Sequence, residues 1–520
     1  MNQSTTLARS IVRQILEAGI TDVVISPGSR NAPLSIAFFE AAQRNLITLH
    51  TRIDERGAAF FALGITKATR RPVPILCTSG TAVANYHPAV LEAHHTNAPL
   101  LILTADRPAR LRKTGANQTT QQVKIFAGAT RYFADISGGA FPMEIPLHAL
   151  LQGPVHLNIQ FDEPLLPDDE GAWLHSISAS AVTAYRKATP GNFSTTTKRG
   201  VLVIGHDRGG FSQTEVQAFA DKLGWPIIAE DPLSFPGAIA HASLFLTSSK
   251  IRQELMPHTA IVIGRTTLSR SVNALISSAA REIVIDSRIE TVDTDRHGDE
   301  RFISLPTLNI ETIDGAYVQK WQKYSERTTS LITEEWSEQF VAAAIAAKSE
   351  DALFIASSRP IRDVEGFAKP RSGITTYSNR GLAGIDGNIS TVLGIAHGHE
   401  KTTAILGDLA FLHDMSALIT KGNVNATIYV INNDGGGIFS TLPQRNVAGF
   451  EAIFGTPHGQ SIAEIARAMK VDAIQVRNAA ELHDVLHQPI TGVRVVEVLV
   501  PSRKENAERI TNIYKQIESL

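Results

Sequence analysis

The amino-acid sequence predicts an α/β protein built from three consecutive doubly wound parallel-sheet domains. The chain has 520 residues, and at about 150 residues per domain this length suggests about three domains. Short β-rich apolar runs alternate with longer helical patterns along the whole chain. Such alternation is typical of βαβ units, whose parallel sheet is covered by helices on both faces.

The β-rich runs fall into three groups. They are DVVIS, PVPILCTSG, PLLILTADR and PVHLNIQ, then GVLVIG, TAIVIG and EIVIDS, and finally ITTYS, KTTAILGD, ATIYVINN and GVRVVEVLV. A stretch rich in Ser, Thr, Ala and Gly at about 175–198, including ATPGNFSTTT, predicts a linker. The polar helical segment around WQKYSERTTSLITEEW ends the middle group. We therefore predict domains at residues 1–175, 195–335 and 345–520.

Composition and charge exclude several classes of protein. Lys and Arg total 49 against 51 Asp and Glu, a formal net charge of -2, without the basic excess that nucleic-acid binding usually requires. The single cysteine, Cys77, lies in an apolar run and predicts a small buried side chain, with no intrachain disulfide. No apolar stretch approaches the roughly 20 residues that cross a bilayer, and the first residues do not resemble a signal peptide. We expect a cytoplasmic protein without nucleic-acid partners or membrane insertion.

The most informative segment is KTTAILGDLAFLHDMSALITKGNVNATIYVINNDGGGIFS. A predicted strand ends in Gly407 and Asp408, a helical pattern follows, and a second strand ends in Asn432 and Asn433 before a glycine cluster. Asp and Asn oxygens are hard ligands for a divalent cation, and glycine lets backbone approach a phosphate. The pattern indicates Mg²⁺ bridging to a diphosphate, although Asp and Asn after strands also form ordinary turns.

This arrangement resembles the thiamine-diphosphate binding motif, in which Gly-Asp is followed by two asparagines after a helix and a strand. The segment HTRIDERGAAFFALGITKAT corroborates it, because thiamine-diphosphate enzymes place a glutamate where Glu55 stands. The resemblance implies that Glu55 is catalytic and hydrogen-bonds the aminopyrimidine ring of the cofactor. A partly buried carboxyl group suits that task. The alternative is that Glu55 only complements a helix N-terminus.

Nearly the whole chain resembles one family within this class, the 2-succinyl-5-enolpyruvyl-6-hydroxy-3-cyclohexene-1-carboxylate synthases. The similar segments, in the family's order, are ISPGSRNAPL, HTRIDERG, TSGTAVANYHPA, LTADRP, TGANQ, TYSNRGLAGIDG and INNDGGGIF. The resemblance implies a transferase of menaquinone biosynthesis that decarboxylates 2-oxoglutarate and adds the resulting succinyl carbanion to isochorismate. It also implies a homodimer or dimer of dimers, in which Glu55 of one chain faces Asp408 of another.

The resemblance also implies the cofactors, thiamine diphosphate and Mg²⁺ (or Mn²⁺), and the residues that hold them. The implied metal ligands are Asp408, Asn433 and the Gly435 carbonyl. Further cofactor contacts are implied for Gly407 and Leu409 on the diphosphate, and for Ile385 beneath the thiazolium ring.

Both implied substrates are anionic, and arginine binds carboxylates well because its planar fork stays charged and pairs with both oxygens. By resemblance, the succinyl carboxylate is bound by Ser358, Arg362 and Arg380. Isochorismate is bound by Ser29, Arg30, Arg107, Asn117, Gln118 and Arg270. In the middle domain, only the segment GRTTLSR around Arg270 resembles the family.

Two other functions stay open at this point. One is a different thiamine-diphosphate-dependent 2-oxoacid decarboxylase or carboligase, such as an acetohydroxyacid synthase, which would not need several arginines. The other is a non-enzymatic nucleotide-binding protein with a decayed α/β fold, in which Glu55 and Asp408 would not be expected to persist. The cluster HGHE at His397 to Glu400 could indicate a metal site, but its position after a helical pattern predicts a solvated helix end.

Overall fold

The computed structural model describes residues 2–137, 144–169, 173–175, 177, 188–288, 292–294, 296–311 and 313–520. The chain divides into two compact units. The first comprises Met1–Arg186, Asp386–Glu400 and His413–Val424, and the second comprises Lys187–Ile385, Lys401–Leu412 and Asn425–Leu520. The domain boundaries expected from the sequence remain a prediction.

The first part of the chain forms a six-stranded sheet in the order β2-β1-β3-β4-β6-β5, with parallel pairing throughout. Its elements are α1 (Gln3–Glu17), β1 (Asp22–Ile25), α2 (Ala32–Gln43), β2 (Thr48–Thr51), α3 (Glu55–Thr69), β3 (Val73–Cys77), α4 (Thr81–Asn85), α5 (His87–Thr96), β4 (Leu100–Asp106), β5 (Tyr132–Ile136), α6 (Leu147–Leu150) and β6 (Val155–Gln160).

The middle part forms a five-stranded parallel sheet in the order β12-β11-β10-β8-β9 and a parallel pair of β13 with β7. Its elements are β7 (Asn192–Thr195), β8 (Gly200–Ile204), α7 (Gln213–Leu223), β9 (Ile227–Ala229), α8 (Ala242–Phe245), α9 (Ser249–Glu254), β10 (Thr259–Ile263), α10 (Arg270–Ile276), β11 (Arg281–Ile285), β12 (Glu300–Phe302), β13 (Thr307–Ile310) and α11 (Gly315–Thr329).

The last part forms a six-stranded parallel sheet in the order β15-β14-β16-β17-β19-β18, which repeats the strand order of the first sheet. Its elements are α12 (Glu338–Lys348), β14 (Asp351–Ile355), α13 (Arg359–Phe367), β15 (Ile374–Tyr377), α14 (Asn388–Ala396), β16 (Thr402–Gly407), α15 (Asp408–Asp414), β17 (Ala426–Asn432), α16 (Ile462–Ala468), β18 (Asp472–Val476), α17 (Ala479–Leu486), β19 (Val493–Leu499) and α18 (Arg503–Glu518).

The central strands of all three large sheets are buried along their length. Strands β3, β4 and β6 of the first sheet, β8 and β10 of the second and β17 of the third show no exposed residue. Helices cover both faces of such sheets, so their strands read as continuous apolar runs. Cys77 lies in one of these strands and is buried, as expected.

The order of the strands predicts where ligands bind. In an open α/β sheet the crevice lies beyond the carboxyl ends of the two neighbouring strands at which the order reverses. That position lies between β1 and β3 in the first sheet and between β14 and β16 in the third. At the first of these the two loops approach closely, because a Cβ atom on Gly28 would lie 2.3 Å from the Thr78 Cβ.

The linker prediction for residues 175–198 is wrong in its second half. Residues 192–195 form strand β7, which pairs with β13, and Phe193 is buried in the core of the middle part. Strand β7 pairs with only one other strand, so its sequence needs few apolar residues. A single apolar residue among Ser, Thr and Asn does not form a recognisable strand pattern. Residues 176 and 178–187 of the predicted linker lie outside the described residues.

Across the described parts of the chain, no helix is both long enough and apolar enough to span a bilayer.

Candidate active site

Asp408 lies at the carboxyl end of β16, as the first residue of α15. Its side chain is 2% exposed. One carboxylate oxygen, Oδ1, accepts a hydrogen bond from the Leu409 amide at 2.7 Å. The other, Oδ2, accepts from the Gly435 amide at 2.8 Å and from His458 Nε2 at 3.3 Å. The structure therefore brings together Asp408, Leu409 and Gly435, three of the residues predicted to hold the diphosphate and its metal.

Asn433 follows β17 in the same unit and has a defined amide orientation. Its Nδ2 donates to the carboxylate of Glu338, which is buried at the start of α12. Its Oδ1 is buried, and no donor among the described residues lies within hydrogen-bond distance. A buried acceptor without a partner is costly in free energy, so this oxygen is expected to face a ligand.

The glycine cluster after Asn433 forms a turn that tolerates no side chain. Gly435 has a φ of 127°, and a Cβ atom there would lie 2.1 Å from the Gly455 carbonyl oxygen. A Cβ atom on Gly437 would lie 2.2 Å from Asn433 Nδ2. The turn therefore holds the Gly435 backbone where its amide donates to Asp408.

By contrast, a Cβ atom on Gly407 would meet no atom within 4 Å. There is therefore open space beside the Gly407 backbone.

These residues fit a divalent cation with a diphosphate. A carboxylate, an amide oxygen without a donor and a backbone carbonyl form a set of hard oxygen ligands, which Mg²⁺ and Mn²⁺ prefer. The Gly435 carbonyl accepts one hydrogen bond, from the Gly437 amide at 2.9 Å, and keeps its second lone pair. Mg²⁺ prefers octahedral coordination, so three protein oxygens leave further coordination positions on the ion for diphosphate oxygens and water.

Two ionisable residues, Glu338 and His458, affect the charge around the candidate metal ligands. Burial raises the pKa of Glu338 to about 7, with a further contribution from the Asp363 carboxylate that the Arg359 guanidinium opposes. The hydrogen bond to Asp408 raises the pKa of His458. His458 therefore places a positive charge beside the Asp408 carboxylate more readily than a free histidine would.

The contact between Glu338 and Asn433 predicts the effect of two substitutions. Glu338→Ala should weaken binding of Mg²⁺ and thiamine diphosphate by about 10–100-fold, the usual effect of losing a group that orients a ligand. Glu338→Gln keeps an oxygen that can accept from Asn433 Nδ2 and should retain most of that affinity. Calorimetric titration of both variants checks this expectation, and equal losses in both would show that orientation of Asn433 does not set the affinity.

Ser358 and Arg362 lie at the carboxyl end of β14, beside β16. Ser358 caps α13 with a φ of 75°, a conformation that costs free energy for any residue except glycine and recurs at functional sites. Arg362 Nη1 donates to the Ser358 carbonyl oxygen at 2.7 Å. Burial lowers the pKa of Arg362, and the charges of Arg359 and Arg380 lower it further. The three residues predicted for the succinyl carboxylate, Ser358, Arg362 and Arg380, are thus near one another.

Arg380 already has a carboxylate partner in the structure. Its Nη2 and Nε donate to Glu230 at 2.9 Å and 3.2 Å, and both side chains are buried. Burial raises the pKa of nearby Glu365 to about 8, helped by the charge of Glu230. Glu365 therefore keeps its proton more readily than a free carboxyl group does, although its charge, when present, raises the pKa of Arg362. The guanidinium of Arg362 is the better placed of the two to receive a substrate carboxylate.

In the other unit, Glu55 is the first residue of α3 and is half-buried. Asp54 supplies the helix cap, accepting the Gly57 amide at 3.2 Å. No described residue hydrogen-bonds the Glu55 carboxyl group. Burial raises the pKa of the Cys77 thiol, and the nearby Glu55 carboxylate raises it further. Asp54 caps the helix, and Glu55 stands in its first turn, where a carboxylate also complements the helix N-terminus.

Contacts within this unit hold the first turn of α3 in place. Asp54 accepts the Ser416 hydroxyl at 2.7 Å, and Arg56 donates to the His413 carbonyl oxygen at 2.8 Å. Further along, α3 packs against α14 through two glycines. A Cβ atom on Gly64 would lie 2.2 Å from the Thr391 carbonyl oxygen, and one on Gly394 would lie 2.1 Å from that of Phe61. Close helix contact of this kind leaves α3 little freedom to move.

Arg30 and Arg107 follow β1 and β4 of the first sheet. Arg107 Nη1 donates to the Ser79 hydroxyl at 2.6 Å and to the Gln118 carbonyl oxygen at 2.7 Å. Burial lowers the pKa of Arg107, and the charge of Arg30 lowers it further. Arg30 pairs with the exposed Glu163 at 3.3 Å, and its Nε is buried without an acceptor among the described residues. Two neighbouring guanidinium groups of this kind favour an anion.

Exposed polar residues surround these arginines. Ser29 and Asn117 are exposed, and Gln118 Nε2 donates to the Ser79 carbonyl oxygen at 3.1 Å. The adjoining loop borders a cavity of about 490 Å³, lined by Arg112, Lys113, Gly115, Thr119, Thr120 and Gln121. This volume lies within the usual range for small-molecule sites.

Two predicted site residues, Arg270 and Ile385, are exposed. Arg270 is the first residue of α10, with no hydrogen bond or ion pair to any described residue. Ile385 is 39% exposed, which is unusual for a large apolar side chain and suits a residue that covers an apolar ring.

Sequence reasoning missed several residues that support the site: Glu230, Glu338, Arg359, His458 and Arg503. Arg503, for example, donates from the start of α18 to the Asp434 carbonyl oxygen at 2.6 Å and so braces the glycine turn. Except for Arg359, which lies in the same helix as Arg362, each of these residues is distant in the sequence from the residue it supports. A single sequence carries no pattern that pairs them.

Comparisons with known proteins identify the class of enzyme to which the chain belongs. Three family models match the chain: the N-terminal TPP binding domain of thiamine pyrophosphate enzymes at residues 5–125, the middle domain of thiamine pyrophosphate enzymes at 168–355, and their C-terminal TPP binding domain at 361–498. Benzoylformate decarboxylase from Polynucleobacter necessarius has a similar structure, with a TM-score of 0.66 and 17% identity, covering 97% of this chain and 99% of that one. These matches define a thiamine-diphosphate enzyme, thiamine pyrophosphate being another name for the cofactor.

Curated relatives identify one family within this class of enzymes. Three proteins named 2-succinyl-5-enolpyruvyl-6-hydroxy-3-cyclohexene-1-carboxylate synthase are similar over nearly their full length. They come from a Nocardioides species (38% identical, covering 98% of this chain and 97% of the relative), Saccharopolyspora erythraea (35%, 96% and 96%) and Lysinibacillus sphaericus (33%, 98% and 97%). The chain belongs to this synthase family. The predicted family, enzyme class and fold class are thereby confirmed.

Proposed function

We propose that this protein removes carbon dioxide from 2-oxoglutarate and joins the remaining four-carbon unit to isochorismate, forming 2-succinyl-5-enolpyruvyl-6-hydroxy-3-cyclohexene-1-carboxylate for menaquinone biosynthesis. It uses thiamine diphosphate with Mg²⁺ or Mn²⁺ and works in the cytoplasm as a homodimer or a dimer of dimers. Two observations carry this proposal in a chain of this family: the Gly435 amide donates to Asp408, and the buried Asn433 Oδ1, after the neighbouring strand β17, has no hydrogen-bond partner among the described residues.

When bound, thiamine diphosphate supplies a thiazolium ring that stabilises negative charge at the carbon from which carbon dioxide leaves. Asp408, Asn433 and the Gly435 carbonyl hold the metal, and Gly407 and Leu409 contact the diphosphate. Glu55 binds the aminopyrimidine ring and moves the proton that activates the cofactor. Ile385 packs against the thiazolium ring.

The arginines select for the carboxylates of both substrates. Arg362, which donates to the Ser358 carbonyl oxygen, receives the distal carboxylate of 2-oxoglutarate with help from Ser358 and Arg380. Isochorismate is held by residues of the first sheet and by Arg270 of the middle part. The first-sheet residues are Ser29, Arg30, Arg107, Asn117 and Gln118.

Substitution of Arg362 and Arg380 should give different results. Arg362→Ala should lower kcat/KM for 2-oxoglutarate by an amount equivalent to about 2–5 kcal/mol, while decarboxylation of pyruvate, which lacks the distal carboxylate, changes less. Arg380→Ala should in addition lower the thermal midpoint, because it leaves Glu230 buried and unpaired at a cost of about 3–5 kcal/mol. Steady-state kinetics with both oxoacids and a thermal melt check this, and equal losses for both oxoacids would indicate a structural role for Arg362.

The proposed reaction is tested by following both substrates together. With thiamine diphosphate and Mg²⁺, isochorismate should disappear only when 2-oxoglutarate is added, and pyruvate should replace 2-oxoglutarate poorly. An acetohydroxyacid synthase would instead consume pyruvate and leave isochorismate unchanged. That result would overturn the proposal in favour of the other thiamine-diphosphate enzyme class.

The proposed dimer places Glu55 of one chain opposite Asp408 of its partner. Mixing Glu55→Gln chains with Asp408→Ala chains then gives mixed dimers with one intact site, so about a quarter of wild-type activity should return on random pairing. Two different tags allow the mixed dimer to be purified and its cofactor content measured. A cofactor-loaded mixed dimer without activity would show that Glu55 and Asp408 act within one chain.

A further inference from the structure

Three metal-ligating side chains from distant parts of the sequence converge in the first unit. They are Asp22 at the start of β1, His50 in β2 and His397 at the C-terminal end of α14. The Nε2 atoms of His50 and His397 lie 3.0 Å and 3.1 Å from the same oxygen, Asp22 Oδ1. The two imidazole rings meet edge to face with centroids 4.7 Å apart. His397 lies at an exposed helix end, as expected from the sequence, but its imidazole also contacts Asp22.

The surroundings of this cluster make it a defined pocket. The Asp22, His50 and His397 side chains are 15%, 13% and 32% exposed, so the cluster is sheltered but open on the His397 side. Thr21 donates to the other Asp22 oxygen, Oδ2, at 3.0 Å and fixes the carboxylate plane. Phe61 packs edge-on against the His50 ring at 5.2 Å. Burial by itself would raise the pKa of Asp22, but hydrogen bonds from His397 and His50 lower this pKa below its usual value. The Asp22 carboxylate therefore stays ionised.

The two nitrogen-to-oxygen separations are close to the ligand spacing of a tetrahedral metal site. Zinc binds imidazole nitrogen and carboxylate oxygen at about 2.0–2.2 Å, and a tetrahedron of that size has ligand-to-ligand edges of about 3.3 Å. The three ligand atoms lie within 4.8 Å of one another, and both nitrogen-to-oxygen distances are within about 0.3 Å of that edge. Two imidazoles and a carboxylate leave the fourth position for water, on the open side.

We propose that Asp22, His50 and His397 bind Zn²⁺ or another first-row transition-metal ion. Two nitrogen ligands distinguish this set from the all-oxygen set at Asp408, because imidazole suits zinc, cobalt and nickel, whereas Mg²⁺ prefers oxygen. A metal here ties the β1–β2 edge to the end of α14, 375 residues away in the sequence from Asp22. Since α14 packs on α3, the bound ion stabilises the helix pair that carries Glu55.

The test is a zinc titration of the enzyme saturated with thiamine diphosphate and Mg²⁺, so that the oxygen site is filled. Helix α17 also carries an exposed histidine pair, His483 and His487, with ring centroids 4.2 Å apart, and this pair could bind zinc by itself. The background protein is therefore the His483→Gln/His487→Gln variant. Calorimetry should show one Zn²⁺ per chain, and Co²⁺ should give the visible absorption bands of a tetrahedral nitrogen and oxygen site.

Variants of the cluster decide the result. His397→Gln and Asp22→Asn should each weaken zinc binding at least about tenfold and abolish the rise in thermal midpoint that zinc produces. His399→Gln, two residues beyond His397, is the matched control and should bind zinc as the background does. Circular dichroism confirms folding, and His50→Gln gives an independent third variant if one of the others fails to fold.

Two results would contradict the proposed zinc site. No zinc uptake by the folded background protein at up to about 1 mM zinc, or unchanged uptake in His397→Gln and Asp22→Asn, would overturn the proposal. The cluster would then be a hydrogen-bonded triad of two imidazoles and one carboxylate.

Discussion

Replacing Glu55 by glutamine should lower kcat by about 10²–10⁴-fold, the usual effect of removing a positioned acid or base. Glutamine is nearly isosteric but cannot take up or release a proton at this position. Folding should be preserved, because the cap of α3 comes from Asp54 and not from Glu55. Thiamine-diphosphate affinity should change much less than turnover, since the proposed ligands of the diphosphate and metal are other residues.

Steady-state kinetics and calorimetric titration of the cofactor separate these two effects. Glu334→Gln, which changes an exposed glutamate in the same way, is the matched control and should behave as the wild type. A folded, cofactor-loaded Glu55→Gln enzyme with turnover within a few-fold of wild type would mean that another residue activates the cofactor.

Asp408→Ala should weaken thiamine-diphosphate binding in the presence of Mg²⁺ by at least about 100-fold, because it removes the charged ligand that we propose for the metal. It also leaves the Gly435 amide and His458 without their shared acceptor. The glycine turn should then lose its fixed position relative to β16. Activity should fall in parallel with cofactor occupancy.

Calorimetry with and without Mg²⁺ measures this effect directly. In the wild type the metal should strengthen cofactor binding strongly, and in Asp408→Ala that dependence should vanish. Asp472→Asn, an edge-strand aspartate paired with Arg494, is the control for loss of a carboxylate. Unchanged, Mg²⁺-dependent cofactor affinity in Asp408→Ala would remove the metal assignment.

The sequence predicts the buried centre of each sheet better than its edges. Strand β17 is buried at every residue, so it reads as an unbroken apolar run. The strands β5 and β18 lie at the edges of their sheets with mixed burial, and neither was predicted. An edge strand has one paired neighbour and part of its surface in water, so its composition is constrained less.

The same reasoning explains which parts of the candidate site could be predicted. Asp408, Asn433 and Gly435 stand at strand ends in a recognisable order, and the position of Glu55 before a helix is also visible in the sequence. The contact of Asn433 with Glu338 joins residues 95 positions apart, and that of Arg380 with Glu230 joins residues 150 positions apart. Such contacts depend on how the chain folds back on itself, and local patterns do not encode them.

The most direct test of the proposed function is to identify the product formed from 2-oxoglutarate labelled at every carbon and unlabelled isochorismate. With thiamine diphosphate and Mg²⁺ present, mass spectrometry should show one product whose mass equals the sum of the two substrates minus labelled carbon dioxide. Omitting either cofactor should abolish it. Release of labelled carbon dioxide with isochorismate left intact, or a product without the label, would contradict the proposed function.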